Sequence, residues 1–466
     1  MSHRFHSCLG LILLCAGLAP SLHADTRNYV HGQLVCRMQQ YGDIDSIDQH
    51  YGTTTKLSLT ETASYLLLVP DSLNPETLAT EIESRSDVSY CSLNYYLDAP
   101  EAAQSSQPFL DVSSGVGLKT QKAVVPLQVA AAQALASGTS VTVAVIDVGV
   151  DLNHPTLTGV VESGYDFIDE GAVAQDRPGG KASGHGTFIA GVIHLVAPEA
   201  RIRAYRVLDS TGRGDGFTIA RAVLKAVSDG CKVINLSCVM RGEQPSLDLA
   251  LEYAQQHGVT IIAAAGNDST EADVFPASSS HVMAVAALDS TGRKAGFSNF
   301  GEHISVCAPG TGINAEFPDS SFAFWSGTSF AAPFVAAEAA LIYSVNPNLP
   351  TDEVRSIIRS SATNVDSLNP EFASQLGSGE INILAAVLQA QQHCCIGTRG
   401  NINGTGGIDL GDLSLLVTYL TSAGGTVVLS CPYAANVDGV GTIDLGDVTL
   451  LTNYLAGNGV VLPSCP

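Results

Sequence analysis

Charge is scarce in this chain, and basic charge is scarcest. Of 466 residues only 14% are Asp, Glu, Lys or Arg, and 22 Lys and Arg face 45 Asp and Glu for a net charge of −23. A typical globular protein carries about 25% charged residues. The shortage of bases leaves no basic stripe, which excludes nucleic acid as a partner. Little charge together with 45% hydrophobic residues excludes a disordered chain. Beyond the N-terminus no apolar run is long enough to cross a hydrocarbon core of about 30 Å. His154, His194, His257 and His281 have no partners at metal-ligand spacing and read as structural histidines. Length alone suggests about three domains, with enough chain to bury at least one large core.

The N-terminus and the cysteines indicate the compartment. Residues 1–24 hold one early cation, Arg4, then the apolar run Leu9–Ala19, and turn polar near Ala24. This is the pattern of a secretory signal peptide, too short to span a bilayer. It places the protein outside the cell, secreted or associated with a cell surface, with no membrane span once the signal is removed. Cys8 and Cys15 leave with the signal, so nine of 11 cysteines remain. Cys394, Cys395, Cys431 and Cys465 cluster near the C-terminus and suit disulfides in three possible connectivities, with Cys36–Cys91 as a further candidate pair. Cys231 and Cys307 lie in apolar runs and read as core residues.

Four segments follow the signal. Residues 25–98 alternate apolar runs (Gln33–Met38, Tyr65–Val69, Val88–Leu97) with a helical pattern opened by Asn74-Pro75, a small α+β unit. Residues 99–122 are rich in Ser, Gln, Gly and Pro and read as an exposed linker. Residues 123–390 alternate β-branched runs, Val141–Ile146, Arg201–Val207, Val233–Leu236, Thr260–Ala265, Val282–Ala287 and Ile304–Cys307, with amphipathic stretches. That order predicts an α/β domain of three layers, a central parallel sheet with helices on both faces. Residues 394–466 form a different unit with an internal repeat.

Three motifs in the α/β segment carry chemistry. VAVIDVGVDLNHP places Asp147 at the carboxyl end of a buried strand, SGHGTFIAGVI places His185 at the mouth of a helix, and SGTSFAAPFVAAEAALI places Ser329 entering a long Ala-rich helix. A serine hydroxyl becomes a competent nucleophile when an imidazole takes its proton and a carboxylate orients that imidazole. The helix N-terminus behind Ser329 adds backbone N–H groups and partial positive charge beside a developing oxyanion. The order Asp, His, Ser is one of the known triad orders.

On these motifs residues 123–390 resemble the catalytic domain of subtilisin-like serine proteases. The resemblance implies a secreted serine endopeptidase acting on polypeptides, with Asp147, His185 and Ser329 as its triad. The stretch IIAAAGND matches the family's Ala-Ala-Gly-Asn signature and implies Asn267 as the side-chain donor of the oxyanion hole. Ser237, Cys238 and Val239, with Ala265 and Gly266, then line the substrate cleft. There are departures. Val148, Phe188 and Phe334 stand where the family often has Thr or Ser, His and His, and Cys238, Val239 and Met240 replace Leu, Gly and Gly. Val239 in place of glycine narrows the pocket and points to a small residue on the acyl side of the cleaved bond. Thr156 replaces an aspartate of the family's tight calcium site, and Ile193 to Pro198 lacks the inserted loop, so that site is expected to be absent. Residues 25–98, ending VSYCSLNYYLD, resemble the family's inhibitory prosegment, a small ferredoxin-like domain whose tail lies in the cleft until it is cut.

The C-terminal unit repeats NINGTGGIDLGDLSLLVTYL from Asn401 as NVDGVGTIDLGDVTLLTNYL from Asn436, with 12 of 20 positions identical. Each copy places polar residues at loop positions 1, 3, 9 and 12 and Gly at position 6 before a Leu-rich helix, the logic of an EF-hand loop. It resembles a dockerin module. The implied calcium ligands are Asn401, Asn403, Asp409 and Asp412, then Asn436, Asp438, Asp444 and Asp447. Val440 at position 5 cannot coordinate. Leu410-Gly411 and Leu445-Gly446 replace the hydroxyl residues through which dockerins meet cohesins, which leaves a cohesin-like or other surface partner open. A second functional reading is an inactive fold of this type that serves surface assembly through its C-terminal module.

Overall fold

In the computed structural model the described residues are 28–40, 42–103, 106–111, 117–171, 173–393, 398–422, 427, 429 and 431–465. The signal segment, Cys394 and Cys395 lie outside them.

The chain opens with β1 (Tyr29–Met38), α1 (Ile44–Tyr51), β2 (Thr54–Leu59), β3 (Ser64–Leu68), α2 (Pro75–Glu83) and β4 (Val88–Asp98). Asp43 caps α1 and Asn74 caps α2 through their side chains. The strands order β2-β3-β1-β4 and are antiparallel. Val35, Leu59, Leu66 and Leu97 lie in the second large core of the α/β layers, whereas Leu34, Cys36, Ile47, Leu67 and Ile82 form a core of their own. This alternation follows the two-residue period of a strand, so β1 and β3 serve two cores at once. A disulfide joins Cys36 to Cys91 across β1 and β4.

The next stretch holds α3 (Pro100–Ala103), β5 (Phe109–Asp111) and α4 (Val129–Gln133). Then come β6 (Thr142–Asp147), β7 (Val161–Asp166), α5 (His185–Val196), β8 (Arg201–Arg206), β9 (Arg213–Asp215), α6 (Gly216–Ser228), β10 (Val233–Leu236), α7 (Pro245–Gln256), β11 (Thr260–Ala264), β12 (Met283–Leu288), β13 (Ile304–Pro309), β14 (Ile313–Phe317), β15 (Ser321–Trp325), α8 (Thr328–Val345), α9 (Thr351–Ser361) and α10 (Ile383–His393). Seven parallel strands order β13-β12-β11-β10-β6-β8-β7. The six predicted runs are six of these strands. The seventh, β7, reads VESGYD and lies at the edge, where one-sided burial leaves no continuous apolar run. One core lies on the α5 and α8 face of the sheet and the other on the α6 and α7 face. Helix α8 is the one described helix long and apolar enough to cross a membrane, and it is enclosed in the core.

The stretch read as an exposed linker is in part buried. Ala99, Glu101 and Ala102 are within the protein, and Phe109–Asp111 adds a strand to the β14-β15 hairpin. Composition marks which segments lack periodicity, not which of them a neighbouring surface will cover.

The C-terminal unit contributes α11 (Leu410–Thr421), α12 (Pro432–Ala435) and α13 (Leu445–Leu455). Ile402, Leu416, Val437 and Leu451, in equivalent places of the two repeats, meet in one small core. Each long helix opens with a capping box, Asp409 with Asp412 and Asp444 with Asp447. Cys431 and Cys465 are both disulfide-bonded.

Candidate active site

The central strands deliver their carboxyl ends to one rim of the sheet, where an α/β sheet of this kind places its crevice. Asp147 ends β6, His185 begins α5 after Gly184, and Ser329 is the second residue of α8. The structure brings all three together, fully buried. His185 Nδ1 lies 2.8 Å from Asp147 Oδ1 and 3.0 Å from Oδ2. Because Nδ1 faces a carboxylate, it carries the proton. Asp147 is held in turn by the backbone N–H of Val148 at 2.8 Å. Trp325 and Phe330 flank the imidazole, with ring centroids 5.7 Å and 5.3 Å away.

Asn267 lies in the loop after β11. Its Oδ1 accepts from the N–H and hydroxyl of Thr328, both at 2.9 Å, which aims the amide nitrogen toward Ser329. The preceding Gly266 has φ +95°, a conformation that suits glycine, and its N–H donates to Thr328 Oγ1 at 3.1 Å. Ser237, beyond β10, donates to the carbonyl of Ser329 at 3.1 Å.

Of the expected cleft residues, Val239 pairs through both backbone groups with Asp98, at 3.0 and 2.9 Å. The side chains of Cys238 and Ala265 are wholly buried, and burial pushes the Cys238 thiol up, so it is not a reactive group. Phe188, where histidine is common, packs against Phe330 at 4.5 Å. Thr156 donates to Glu316 Oε1 and meets His154 Nδ1, both at 3.0 Å.

Three further features surround the motif residues. Strand β4 continues the N-terminal sheet into the cleft, where Tyr96, Leu97 and Asp98 pair with Asp215, Gly214 and Arg213 of β9. Glu101, three residues on, enters the site itself. Its Oε2 accepts from Ser329 Oγ at 2.6 Å and lies 3.0 Å from His185 Nε2, and its Oε1 accepts from Asn267 Nδ2 at 2.7 Å. Burial alone would raise its pKa, but the hydrogen bond and charge of His185, with Ser329 and Asn267, hold it below the ordinary carboxylate value. Burial likewise disfavours a charged His185, yet Asp147 and then Glu101 push it up to about 10. No local sequence signal marks Glu101, which lies three residues beyond the end of β4 in a stretch read as linker. Asp176 is the third feature: it accepts from Gly184 N–H and from Thr187 Oγ1 at 2.7 Å, and burial raises it to about 7.

In the C-terminal loops the side chains of Asp412 and Asp447 are buried. Asp412 accepts from the N–H groups of Ile402, Asn403 and Asp409, and Asp447 from those of Asp438 and Asp444. Asn401 Oδ1 and Asn436 Oδ1 are buried without a hydrogen-bond partner. Among the described residues no three His, Cys, Asp or Glu side chains gather as a metal cluster.

The profile of the subtilase family matches residues 138–379. Thermitase of Thermoactinomyces vulgaris is 35% identical over 274 residues, 56% of this chain and 94% of that protein. Subtilisin BL of Lederbergia lenta is 34% identical over 259 residues, 54% of this chain and 91% of its own. The crystal structure of fervidolysin from Fervidobacterium pennivorans, a keratinolytic enzyme related to subtilisin, is similar with a TM-score of 0.65 at 24% identity, over 77% of this chain and 61% of that one. That last likeness concerns the fold alone.

Proposed function

The chain belongs to the subtilase family and is a serine endopeptidase, and from that premise we propose that Asp147, His185 and Ser329 cleave polypeptides through an acyl-enzyme. Ser329 Oγ attacks the substrate carbonyl carbon while His185 Nε2 takes its proton. Asp147 keeps the imidazole in the correct tautomer and offsets its positive charge. Asn267 Nδ2 and the backbone N–H of Ser329 meet the oxyanion. Nε2 then protonates the leaving amine, and a water activated by the same nitrogen releases the acyl group. The observation that carries this reading is the convergence of Ser329 Oγ, His185 Nε2 and Asn267 Nδ2 on one carboxylate within 3.0 Å. The same convergence argues against an inactive fold kept for surface assembly. Secreted protein should hydrolyse unstructured polypeptide and be blocked by a serine-reactive phosphonofluoridate, and Ser329→Ala should abolish turnover. Full activity in that variant would overturn the assignment.

The rest of the chain supports a secreted zymogen with an attachment module. Residues 25–98 act as prosegment and inhibitor, and β4 in the cleft is the support for that role. Residues 394–466 act as the calcium-holding module. The orphaned oxygens of Asn401 and Asn436 fit a cation, with Asn403, Asp409 and Asp412 in one loop and Asp438, Asp444 and Asp447 in the other as further ligands. Calcium there would cross-link each loop to its helix. Leu410 and Leu445, 72% and 74% exposed at matching loop positions, are the surface a cohesin-like or other partner would meet.

A further inference from the structure

We propose that the catalytic centre is a carboxylate-binding site whose ligand in the uncut chain is the side chain of Glu101. The proposal rests on the triad assignment above and adds to it which residue closes the site. The cleft-bound segment behaves as an antiparallel strand up to Ala99, whose N–H donates to the Gly212 carbonyl at 2.8 Å. At Pro100 the backbone turns into α3 and departs from the extended path. A backbone carbonyl continuing that path would present a scissile bond to Ser329. The Glu101 carboxylate occupies the catalytic groups in its stead, saturating the nucleophile, the base and the oxyanion donor at once.

A carboxylate resembles the product of peptide hydrolysis and is a poor electrophile, so it satisfies the machinery without being consumed. The fit is close, because Glu101 Oε1 leaves no room for a Cβ at Gly327. The site is sealed on the far side as well. The Ser106 N–H donates to the Glu101 carbonyl at 3.0 Å, Ser106 Oγ donates to the Ser326 carbonyl at 3.3 Å, and Trp325 Nε1 donates to Ser106 Oγ at 3.2 Å. Beyond it Phe109–Asp111 pairs with β15, and Asn314 Nδ2 donates to Asp111 Oδ2 at 2.6 Å. Residues on both sides of Glu101 are therefore anchored to the catalytic unit, and the carboxylate is held by more than its own hydrogen bonds.

The test uses the full-length chain with Glu101→Gln and Glu101→Ala, treated with a fluorescent fluorophosphonate and resolved by size, so that labelling of Ser329 is read on the uncut species alone. Trp325, the single tryptophan, reports opening independently of catalysis. In the uncut wild type Ser329 should label slowly. Both variants should label at least about tenfold faster, as expected when one charge-assisted hydrogen-bond set is removed. Their Trp325 emission should move to longer wavelength. Equal labelling and emission in all three chains would overturn the role of Glu101. A wild type that never labels, even after its N-terminal unit is removed, would instead overturn the triad assignment on which the proposal rests.

Discussion

At the scale of single residues, the site is a set of buried polar groups that only mutual hydrogen bonding makes tolerable. Asn267 is oriented by Thr328, and the Nδ2 that donates to Glu101 in the closed site is the donor the reaction would use. Asn267→Ala should lower kcat by about 10²–10³ with little change in KM, a magnitude known for the equivalent donor in subtilisin rather than derived from this geometry. Peptide hydrolysis by the mature protein measures it. The closed site also has a defined pH window. His185 is faced by Asp147 and Glu101, with Asp176 nearby. Its pKa is raised from 6.5 to about 10, so the pairing is complete below its ordinary value and is lost as pH rises through about 10. Glu101 is lowered from 4.5, so its share is present above that value and is lost as pH falls through the lowered one. Trp325 emission of the uncut Ser329→Ala chain should stay constant through neutrality and shift near pH 10. A flat profile through pH 11 would contradict the ion pair.

At the scale of elements, the repeat shows how far a pattern carries. Loop positions and the Leu-rich helices α11 and α13 were legible, because each is a local relation between residues a few positions apart, and the structure adds that each helix opens with a capping box. Removing calcium should therefore loosen this unit selectively. A chelator is expected to lower the first thermal transition of the full chain and to leave the protease transition in place. Asp412→Ala should lower that first transition further, since it also leaves the N–H groups of Ile402, Asn403 and Asp409 without their acceptor. Differential scanning calorimetry with and without chelator distinguishes the two contributions. The third element of interest, β4, was legible as a strand but not as two strands' worth of pairing. Its upstream half belongs to β1 and its end to β9, more than a hundred residues away in sequence.

At the scale of the whole molecule, the N-terminal sheet and the catalytic unit share a core. Tyr95 N–H donates to Gln244 Oε1 at 3.0 Å and Asn94 Nδ2 to Asp215 Oδ1 at 2.8 Å, so polar groups of β4 also reach the approaches to α6 and α7. A parallel sheet of seven strands is a slow topology, because distant segments must meet before any pairing is rewarded. An N-terminal sheet already folded against α6 and α7 would act as a template and lower that barrier. A chain lacking residues 25–98 should refold at least about tenfold more slowly than the full chain, with the catalytic unit less stable where Val35, Leu59, Leu66 and Leu97 leave its core. Recovery of Trp325 fluorescence after dilution from denaturant measures this, and equal rates would remove the templating role.

The scarcity of charge with which the chain presents itself spoke against disorder and left no basic stripe, and the motifs around Asp147, His185, Asn267 and Ser329 were enough to point to the family and the fold. Those are short-range relations: a strand's end, a helix's first turn, a glycine beside a nucleophile. The tertiary structure alone decided what fills the site. Glu101 stands in a Ser- and Gln-rich stretch with nothing in its neighbours to distinguish it from a solvated acid. It becomes a buried carboxylate only because β4 continues onto β9 and the turn at Pro100 carries the next residues into the cleft, 84 and 228 positions from His185 and Ser329. Burial of a charge is a property of the surface that closes over it, and no local pattern encodes that surface.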